Sequence, residues 1–162
     1  MNIKQLELEL TWAADEFLIE EFALELEIPI RISRRMSKTF GSFAFTRSRK
    51  TGKQDAKEIV ISANLIEHHP WEDVIDTLKH ECVHYALFEL GKPYRDGDAY
   101  FENTLRAHGI SSTQTTEYRG FVQVYECKKC STQYKRHMKG FEKRYGCGEC
   151  DGFLKHVGTE KI

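Results

Sequence analysis

The chain has 162 residues, 40% of them hydrophobic and 12% aromatic, which is enough for a folded core and excludes wholesale disorder. The formal net charge of −1 gives no global case for binding a nucleic acid or an anionic membrane, and no stretch approaches the roughly 18 apolar residues that span a bilayer. The N-terminus lacks the order of a signal peptide, so we expect a cytoplasmic protein whose five cysteines are metal ligands or packed thiols.

The charge is unevenly distributed along the chain. Residues 111–162 contain ten Lys/Arg and six Asp/Glu, a net charge of +4, so residues 1–110 carry −5. An acidic segment followed by a basic one is typical of a protein whose basic segment contacts a polyanion, although an ordinary solvated surface gives the same pattern.

The first part of the chain predicts one helix followed by strands. No Gly or Pro interrupts the chain from Ile3 to about Leu26, and apolar residues recur near helical spacing, which indicates an amphipathic helix that ends before Pro29. Three segments are predicted next: one or two strands around a turn at Gly41 (30–45), a loop (47–54) and a short buried strand (58–62).

Two helices are predicted in the middle of the chain. An apolar stripe runs through a helix from about 70 to 90, with Pro70 in its first turn and Gly91 and Pro93 after its end. A short loop leads to a second helix from about Asp98 to His108, and the polar run from Ser111 to Thr116 is typical of a linker.

The first of these helices carries the motif His80-Glu81-Cys82-Val83-His84. Residues four apart share one face of a helix, so both imidazoles can bind the same zinc ion, and Glu81 is placed to move protons as the catalytic acid/base. The alternative is a solvated helix face that carries these residues by chance. Cys82 lies on the apolar stripe and is predicted to be a packed thiol.

A catalytic zinc usually has a third protein ligand, and the sequence leaves that ligand open. Asp98 is placed first, ahead of Glu102 and Asp96, although its position at the start of a helix also suits an N-cap. His108 is the next histidine and suits a helix C-terminus better than the metal. Four nearby side chains are candidates for stabilising an oxyanion: Tyr85, Tyr94, Arg95 and Tyr100.

The tail contains two C-x2-C pairs separated by sixteen residues. Four thiolates close a tetrahedral site with no open position, so this pattern predicts a structural zinc in a small ribbon whose folding depends on the metal. The ligands are Cys127, Cys130, Cys147 and Cys150.

Basic residues alternate with aromatic residues between the two cysteine pairs. This pattern is typical of a surface that contacts phosphates and stacks on bases, although the aromatics also suit a small ribbon core. The candidate contacts with nucleic acid, DNA in particular, are Lys135, Arg136, Lys139, Lys143 and Arg144.

From Pro70 onward the chain resembles the SprT-like family, which includes Spartan-type proteases that cut proteins crosslinked to DNA. The resemblance rests on the His80–Tyr85 motif, the loop from Gly91 to Gly97 and the four-cysteine ribbon. It implies an α+β fold: a minigluzincin-like zincin core of helices packed on a small sheet, over residues 1–110, followed by a zinc ribbon over 117–162. One departure is that family members commonly have a third histidine where this chain has Asp96-Gly97-Asp98.

Three functions are compatible with these features. The first is a zinc endopeptidase with one catalytic and one structural zinc, which acts on protein or peptide substrates and, in one form of the hypothesis, on DNA-associated proteins. The second is a non-enzymatic nucleic-acid-binding or regulatory protein with a vestigial metal site. The third is a metal-dependent hydrolase of something other than peptides.

Overall fold

The computed structural model describes residues 1–112 and 117–162 and divides the chain into two compact units, Met1–Glu117 and Tyr118–Ile162. Helices and small sheets are mixed, which confirms the predicted α+β class. The linker predicted from Ser111 to Thr116 lies outside the described residues from 113 onward. Within the described ranges, no helix is both long enough and apolar enough to cross a membrane.

The described residues of the first unit form four helices and a three-stranded sheet. In chain order they are α1 (Ile3–Phe22), β1 (Ile30–Ser33), β2 (Gly41–Arg47), β3 (Gln54–Ser62), α2 (Ala63–His68), α3 (Trp71–Glu89) and α4 (Ala99–Ala107). The strand order is β1-β3-β2, with β1 parallel and β2 antiparallel to β3. Strand β2 therefore lies at an edge of this sheet.

Helix α3 lies at the centre of the first unit and contacts α1, α4 and strands β2 and β3. Because it is covered on several sides, every residue from His80 to Leu87 is buried. Burial of two histidines and a glutamate costs free energy of folding unless these side chains have polar partners. The polar partners therefore show how the site is built.

Helix α1 ends at Phe22, whereas the sequence predicted an end near Leu26. Ala23 adopts a left-handed conformation (φ 52°), and the N–H of Leu24 donates to the carbonyl of Leu18, which closes the helix without a glycine. The N–H of Leu26 then donates to the Asp15 carboxylate at 2.9 Å, so the chain turns back along its own helix.

The prediction of a turn at Gly41 was wrong, because Gly41 begins strand β2. Strands β1 and β2 also do not pair with each other, since β3 lies between them. Phe43 and Phe45 of β2 both pack against Phe88 of α3, with ring centroids 5.4 and 5.3 Å away, and this aromatic cluster joins the edge strand to the central helix.

The second unit is a three-stranded antiparallel sheet with two cysteine turns. Its strands are β4 (Phe121–Cys127), β5 (Gln133–Arg136) and β6 (Leu154–Lys161), in the order β5-β4-β6, and a short 3-10 helix covers Phe141–Lys143. Its buried cluster consists of Tyr125, Cys127, Cys147 and Leu154. So small a core leaves the cysteine turns to hold the unit together.

Candidate active and metal sites

His80 and His84 lie one turn apart on α3, and each ring is held by a backbone carbonyl. Nδ1 of His80 donates to the carbonyl of Ser111 at 3.0 Å, and Nδ1 of His84 donates to the carbonyl of Tyr94. Burial lowers the pKa of His84, which favours its neutral form. A carbonyl only accepts, so each neutral ring carries its proton on Nδ1 and keeps a lone pair on Nε2.

Phe101 of α4 fixes the planes of both rings. It stacks on His84 with centroids 4.1 Å apart and an interplanar angle of 15°, and it meets His80 edge-on at 5.3 Å. Phe101 is fully buried, so its own position is determined by the core. The two Nε2 atoms are therefore aimed by packing as well as by hydrogen bonds.

The two Nε2 atoms meet at one carboxylate oxygen. Oδ1 of Asp96 lies 3.1 Å from Nε2 of His80 and 3.3 Å from Nε2 of His84. Three acceptor atoms converge here, and a shared cation satisfies all three. In a tetrahedron of zinc–ligand bonds of 2.0–2.1 Å, ligand atoms are about 3.3 Å apart, so the donor set fits zinc.

The geometry reverses the order of third ligands predicted from the sequence, in which Asp98 came first. Asp98 occupies the N-cap position of α4, but its Oδ2 accepts from the N–H of Arg95 at 3.0 Å and so closes the preceding turn. That turn brings Asp96, two residues earlier, to the imidazoles. Glu102 also points elsewhere.

Glu102 joins the two segments that hold the imidazoles. Its Oε1 accepts from the N–H of Gly97 at 3.0 Å, and its Oε2 accepts from the hydroxyl of Ser112 at 2.8 Å. Gly97 follows Asp96, and Ser112 follows Ser111, the residue whose carbonyl accepts from His80. Glu102 thus positions the site without touching the metal-binding atoms, a role that the sequence analysis missed.

Glu81 lies beside the two histidines, with a carboxylate oxygen within 4.8 Å of their ring nitrogens. The pKa of Glu81 is raised to about 8, first by burial and then by the Asp96 carboxylate, while the N–H donated by Phe43 opposes the rise. A carboxyl group with a pKa near neutral can both accept and return a proton. Glu81 therefore has the properties of an acid/base catalyst.

The absence of a side chain at Gly41 leaves space for the Glu81 carboxylate. A Cβ atom at residue 41 would lie 2.7 Å from Oε1 of Glu81 and 2.9 Å from Cγ2 of Thr77. Only a glycine permits this approach of strand β2 to helix α3. The glycine was visible in the sequence, but its role depends on a contact across forty residues.

A cleft of about 680 Å3 opens over this site. Strand β2 forms one wall, from Gly41 to Phe45, and Tyr94, Arg95 and Ser112 line the cleft together with His80, Glu81, His84 and Asp96. Among the candidates for stabilising an oxyanion, Tyr94 and Arg95 line this cleft. Tyr85 does not, because its buried hydroxyl donates to the carbonyl of Glu25 at 3.2 Å, and Tyr100 is exposed outside the lining.

The four cysteines of the second unit converge on one point. All four Sγ atoms lie within 4.8 Å of one another, and the closest pairs, Cys127–Cys150 and Cys130–Cys147, are 3.5 Å apart. These distances exceed the 2.05 Å of a disulfide bond and are close to the separation of about 3.8 Å between sulfurs of a tetrahedral zinc site. The cluster is compatible with a metal.

The surroundings of Cys147 favour its thiolate form. The N–H of Gly148 donates to the hydroxyl of Tyr134 at 3.0 Å, which directs the hydroxyl proton to Sγ of Cys147 at 3.1 Å. This hydrogen bond lowers the pKa of Cys147 to about 6. Gly152 also approaches closely, since a Cβ there would lie 2.8 Å from Sγ of Cys127.

The predicted nucleic-acid contacts of the second unit have different surroundings. Nζ of Lys135 pairs with Glu160 at 2.7 Å, and the Arg136 guanidinium lies over the rings of Tyr134 and Phe141 at 5.5 and 5.1 Å. In the part of the chain that the structure describes, no carboxylate pairs with the remaining three: Lys139, Lys143 and Arg144.

Two further predicted roles are structural. Cys82 is fully buried in the core, and burial raises the pKa of its thiol, so it is a packed residue, as predicted. His108 caps the C-terminus of α4, and its Nε2 lies 3.2 Å from Oε2 of Glu21 and not beside His80 and His84.

A buried helix with two histidines one turn apart, a glutamate between them and a carboxylate opposite forms a candidate metal site of the HExxH type. Comparison with known proteins agrees with it: the SprT-like family profile matches residues 7–117, and the chain belongs to this family. The match ends before the four-cysteine unit.

Several relatives carry the name Protein SprT-like. The one from Streptococcus mutans is 35% identical over 80 residues, which cover 49% of this chain and 55% of the relative. The one from Oceanobacillus iheyensis is 32% identical over 118 residues, 69% of this chain and 79% of the relative. The one from Bacillus cereus strain 03BB102 is 27% identical over 155 residues, 93% of this chain and 96% of the relative.

Proposed function

We propose that this protein is a zinc-dependent metallopeptidase. The observation that carries the proposal is the convergence of two imidazole Nε2 atoms and the Asp96 carboxylate, with buried Glu81 beside them, at the floor of a cleft. His80, His84 and Asp96 would hold the metal. When bound, zinc supplies Lewis-acid chemistry, which polarises a carbonyl and makes water a nucleophile at neutral pH.

The residues of the chain provide the remaining steps. The unprotonated form of Glu81 accepts the proton of the attacking water and returns it to the departing amine, and its pKa of about 8 suits both transfers. The N–H of Phe43 keeps the carboxylate in place between the two transfers. Tyr94 and Arg95, which line the cleft, are the groups placed to donate to the carbonyl oxygen.

The edge strand gives the substrate a place to bind. Strand β2 borders the cleft and lies at the edge of its sheet, so an extended peptide can pair with it as an added strand. Backbone pairing is independent of side chains, which suits unfolded protein substrates of varied sequence. This arrangement favours a peptidase over a hydrolase of small molecules.

DNA-associated proteins are the substrate class that the basic second unit suggests. Residues 118–162 contain ten Lys/Arg and five Asp/Glu, and Lys139, Lys143 and Arg144 are free to contact phosphates in the described structure. The competing function is a non-enzymatic nucleic-acid-binding protein. The orientation of both imidazoles by carbonyls and by Phe101 argues against a vestigial site, because such a site has no need of oriented ligands.

The test is cleavage of an unfolded protein by the zinc-loaded protein and by Glu81→Gln. We expect the substitution to lower kcat/KM by at least about 100-fold while zinc stays bound, since Glu81 moves protons and is not needed as a ligand. Glu72→Gln, an exposed carboxylate on the same helix, is the matched control and should retain full activity. Cleavage that survives in Glu81→Gln would refute the mechanism.

A further inference from the structure

Within the first unit, negative and positive side chains are concentrated in different segments of the chain, and the net charge of the unit does not show this. Residues 3–28 contain one Lys and eight Asp/Glu, whereas residues 31–57 contain nine Lys/Arg and one Asp. The nine cations are Arg31, Arg34, Arg35, Lys38, Arg47, Arg49, Lys50, Lys53 and Lys57. A charge of +8 in 27 residues is denser than the +5 carried by the 45 residues of the second unit.

All nine cations are exposed, and most have no acidic neighbour. Arg31 pairs with Glu58 at 3.0 Å and Lys53 pairs with Asp55 at 3.4 Å. Within residues 1–112 and 117–162, no carboxylate lies within ion-pair distance of the other seven side chains. These seven cations are not neutralised by the protein and are open to an anionic partner.

Six of the seven unpaired cations, all except Lys57, fall into two groups at opposite ends of edge strand β2. Arg34, Arg35 and Lys38 lie in the segment that leads into β2 at Gly41. Arg47, Arg49 and Lys50 lie at the other end, where an N–H of Ser48 donates to the carbonyl of Lys53 at 2.8 Å and orders the turn. A seven-residue strand is about 23 Å long, so the two groups are separated by roughly that length.

We propose that these two groups, named here the β2 cation surface (Arg34, Arg35, Lys38, Arg47, Arg49, Lys50), bind the phosphate backbone of a nucleic acid. A single phosphate or carboxylate cannot span about 23 Å, whereas one strand with a charge every 3.4 Å places about seven phosphates over that length. Four of the six cations are arginines, whose planar guanidinium binds phosphate bidentately. Phe43 and Phe45, on the strand between the two groups, pack against Phe88, so we expect the contact to be with phosphates and not with bases.

The surface lies next to the cleft, because Lys38 belongs to both. A nucleic acid bound here would bring any protein attached to it beside strand β2. The inference does not depend on peptidase activity, since it concerns only charge and exposure. It also differs from the prediction drawn from the sequence, which assigned nucleic-acid contacts to the second unit alone.

The test measures binding of a fluorescein-labelled 20-nucleotide single strand by anisotropy, at 50 to 200 mM NaCl, with the full-length zinc-loaded Glu81→Gln protein. Two triple variants remove the cations: Arg34→Gln/Arg35→Gln/Lys38→Gln and Arg47→Gln/Arg49→Gln/Lys50→Gln. The matched control removes the same charge from exposed positions elsewhere in the first unit: Lys4→Gln/Lys92→Gln/Arg106→Gln. All nine positions are at the surface, and circular dichroism and zinc content verify that each variant is folded.

We expect each β2 variant to weaken binding at least ten-fold at 50 mM NaCl and to reduce the slope of log K against log salt by about 2 to 3, one phosphate contact per lost cation. The control should change the affinity less than three-fold. The reverse pattern, with loss only in the control, would overturn the proposal. So would binding to phosphatidylserine vesicles without binding to DNA, or equal competition by poly-glutamate at matched charge, because these results assign the surface to a membrane or to acidic polypeptides.

Discussion

The two clusters of metal-ligating side chains differ in what holds their ligands in place. Around His80 and His84 the described structure gathers twenty buried hydrophobic residues, and the imidazoles are oriented by carbonyls and by Phe101. Around the four cysteines it gathers four, two of which are the ligands Cys127 and Cys147. We therefore expect the first unit to fold without metal, whereas the second unit should need a metal to fold.

The largest expected effect therefore follows from removing a cysteine ligand. Cys147→Ser should unfold residues 118–162 and leave the first unit folded, because the second unit has little other buried surface. Two-dimensional NMR would show collapse of the amide dispersion for that segment alone. His84→Ala is the matched control: it removes a ligand of the other site and should leave both units folded. Unfolding of the first unit in Cys147→Ser would break the contrast between the sites.

The next effect concerns the third ligand of the histidine site. Asp96→Asn should weaken zinc binding there by about 100-fold or more and abolish cleavage, because an amide oxygen is a poor substitute for a charged ligand. Asp98→Asn should change the affinity by less than about ten-fold, since Asp98 accepts from the N–H of Arg95 instead. Zinc competition with a fluorescent chelator measures both. Equal losses in the two variants would contradict the assignment.

A smaller effect is expected from Gly41→Ala. The added Cβ would lie 2.7 Å from Oε1 of Glu81, so the carboxylate must move, and a displacement of about 1 Å costs roughly 100-fold in rate. Zinc affinity should hardly change, because the ligands are untouched. Ser42→Ala, at the next and exposed position, serves as the control. Full activity in Gly41→Ala would show that Glu81 tolerates another position.

The smallest effect is expected at Glu102, which positions the site from outside. Glu102→Ala should lower activity and zinc affinity by about ten-fold, the usual scale for a partner that orients metal ligands. Glu102→Gln keeps an acceptor for the N–H of Gly97 and a donor for Ser112, so it should restore most of both. The absorption spectrum of the cobalt-substituted protein reports the ligand geometry directly, and an unchanged spectrum in Glu102→Ala would exclude the positioning role.

The sequence predicted the elements that carry strong local signals. Helix α3, its start after Pro70 and its motif, and the two cysteine pairs depend on spacing within one element, and spacing is readable from the chain. Other features could not be predicted from spacing. Helix α1 ends at Phe22 because Ala23 adopts a left-handed conformation that its side chain does not favour. The short helix α2 was not predicted, because six residues give too little periodicity.

The third ligand shows the same limit within the site. Asp96 and Asp98 are two residues apart, and only the conformation of the turn between them decides which carboxylate reaches the imidazoles. The N–H of Arg95 holds Asp98, and Glu102 holds Gly97, so Asp96 is left facing the site. Gly41 is similar, because its role appears only when β2 packs against Glu81. Contacts of this kind determine which residues form the site, and the spacing of residues in the sequence does not predict them.

The proposed function requires that the histidine site bind a metal in addition to the one expected at the four cysteines. Its most direct test is the zinc content per chain, measured by elemental analysis after purification without chelators, for the wild type and for His80→Ala. We expect two zinc ions per chain in the wild type and one in the variant. One zinc ion per chain in both proteins would contradict this requirement, because the converging imidazoles and carboxylate would then hold no zinc.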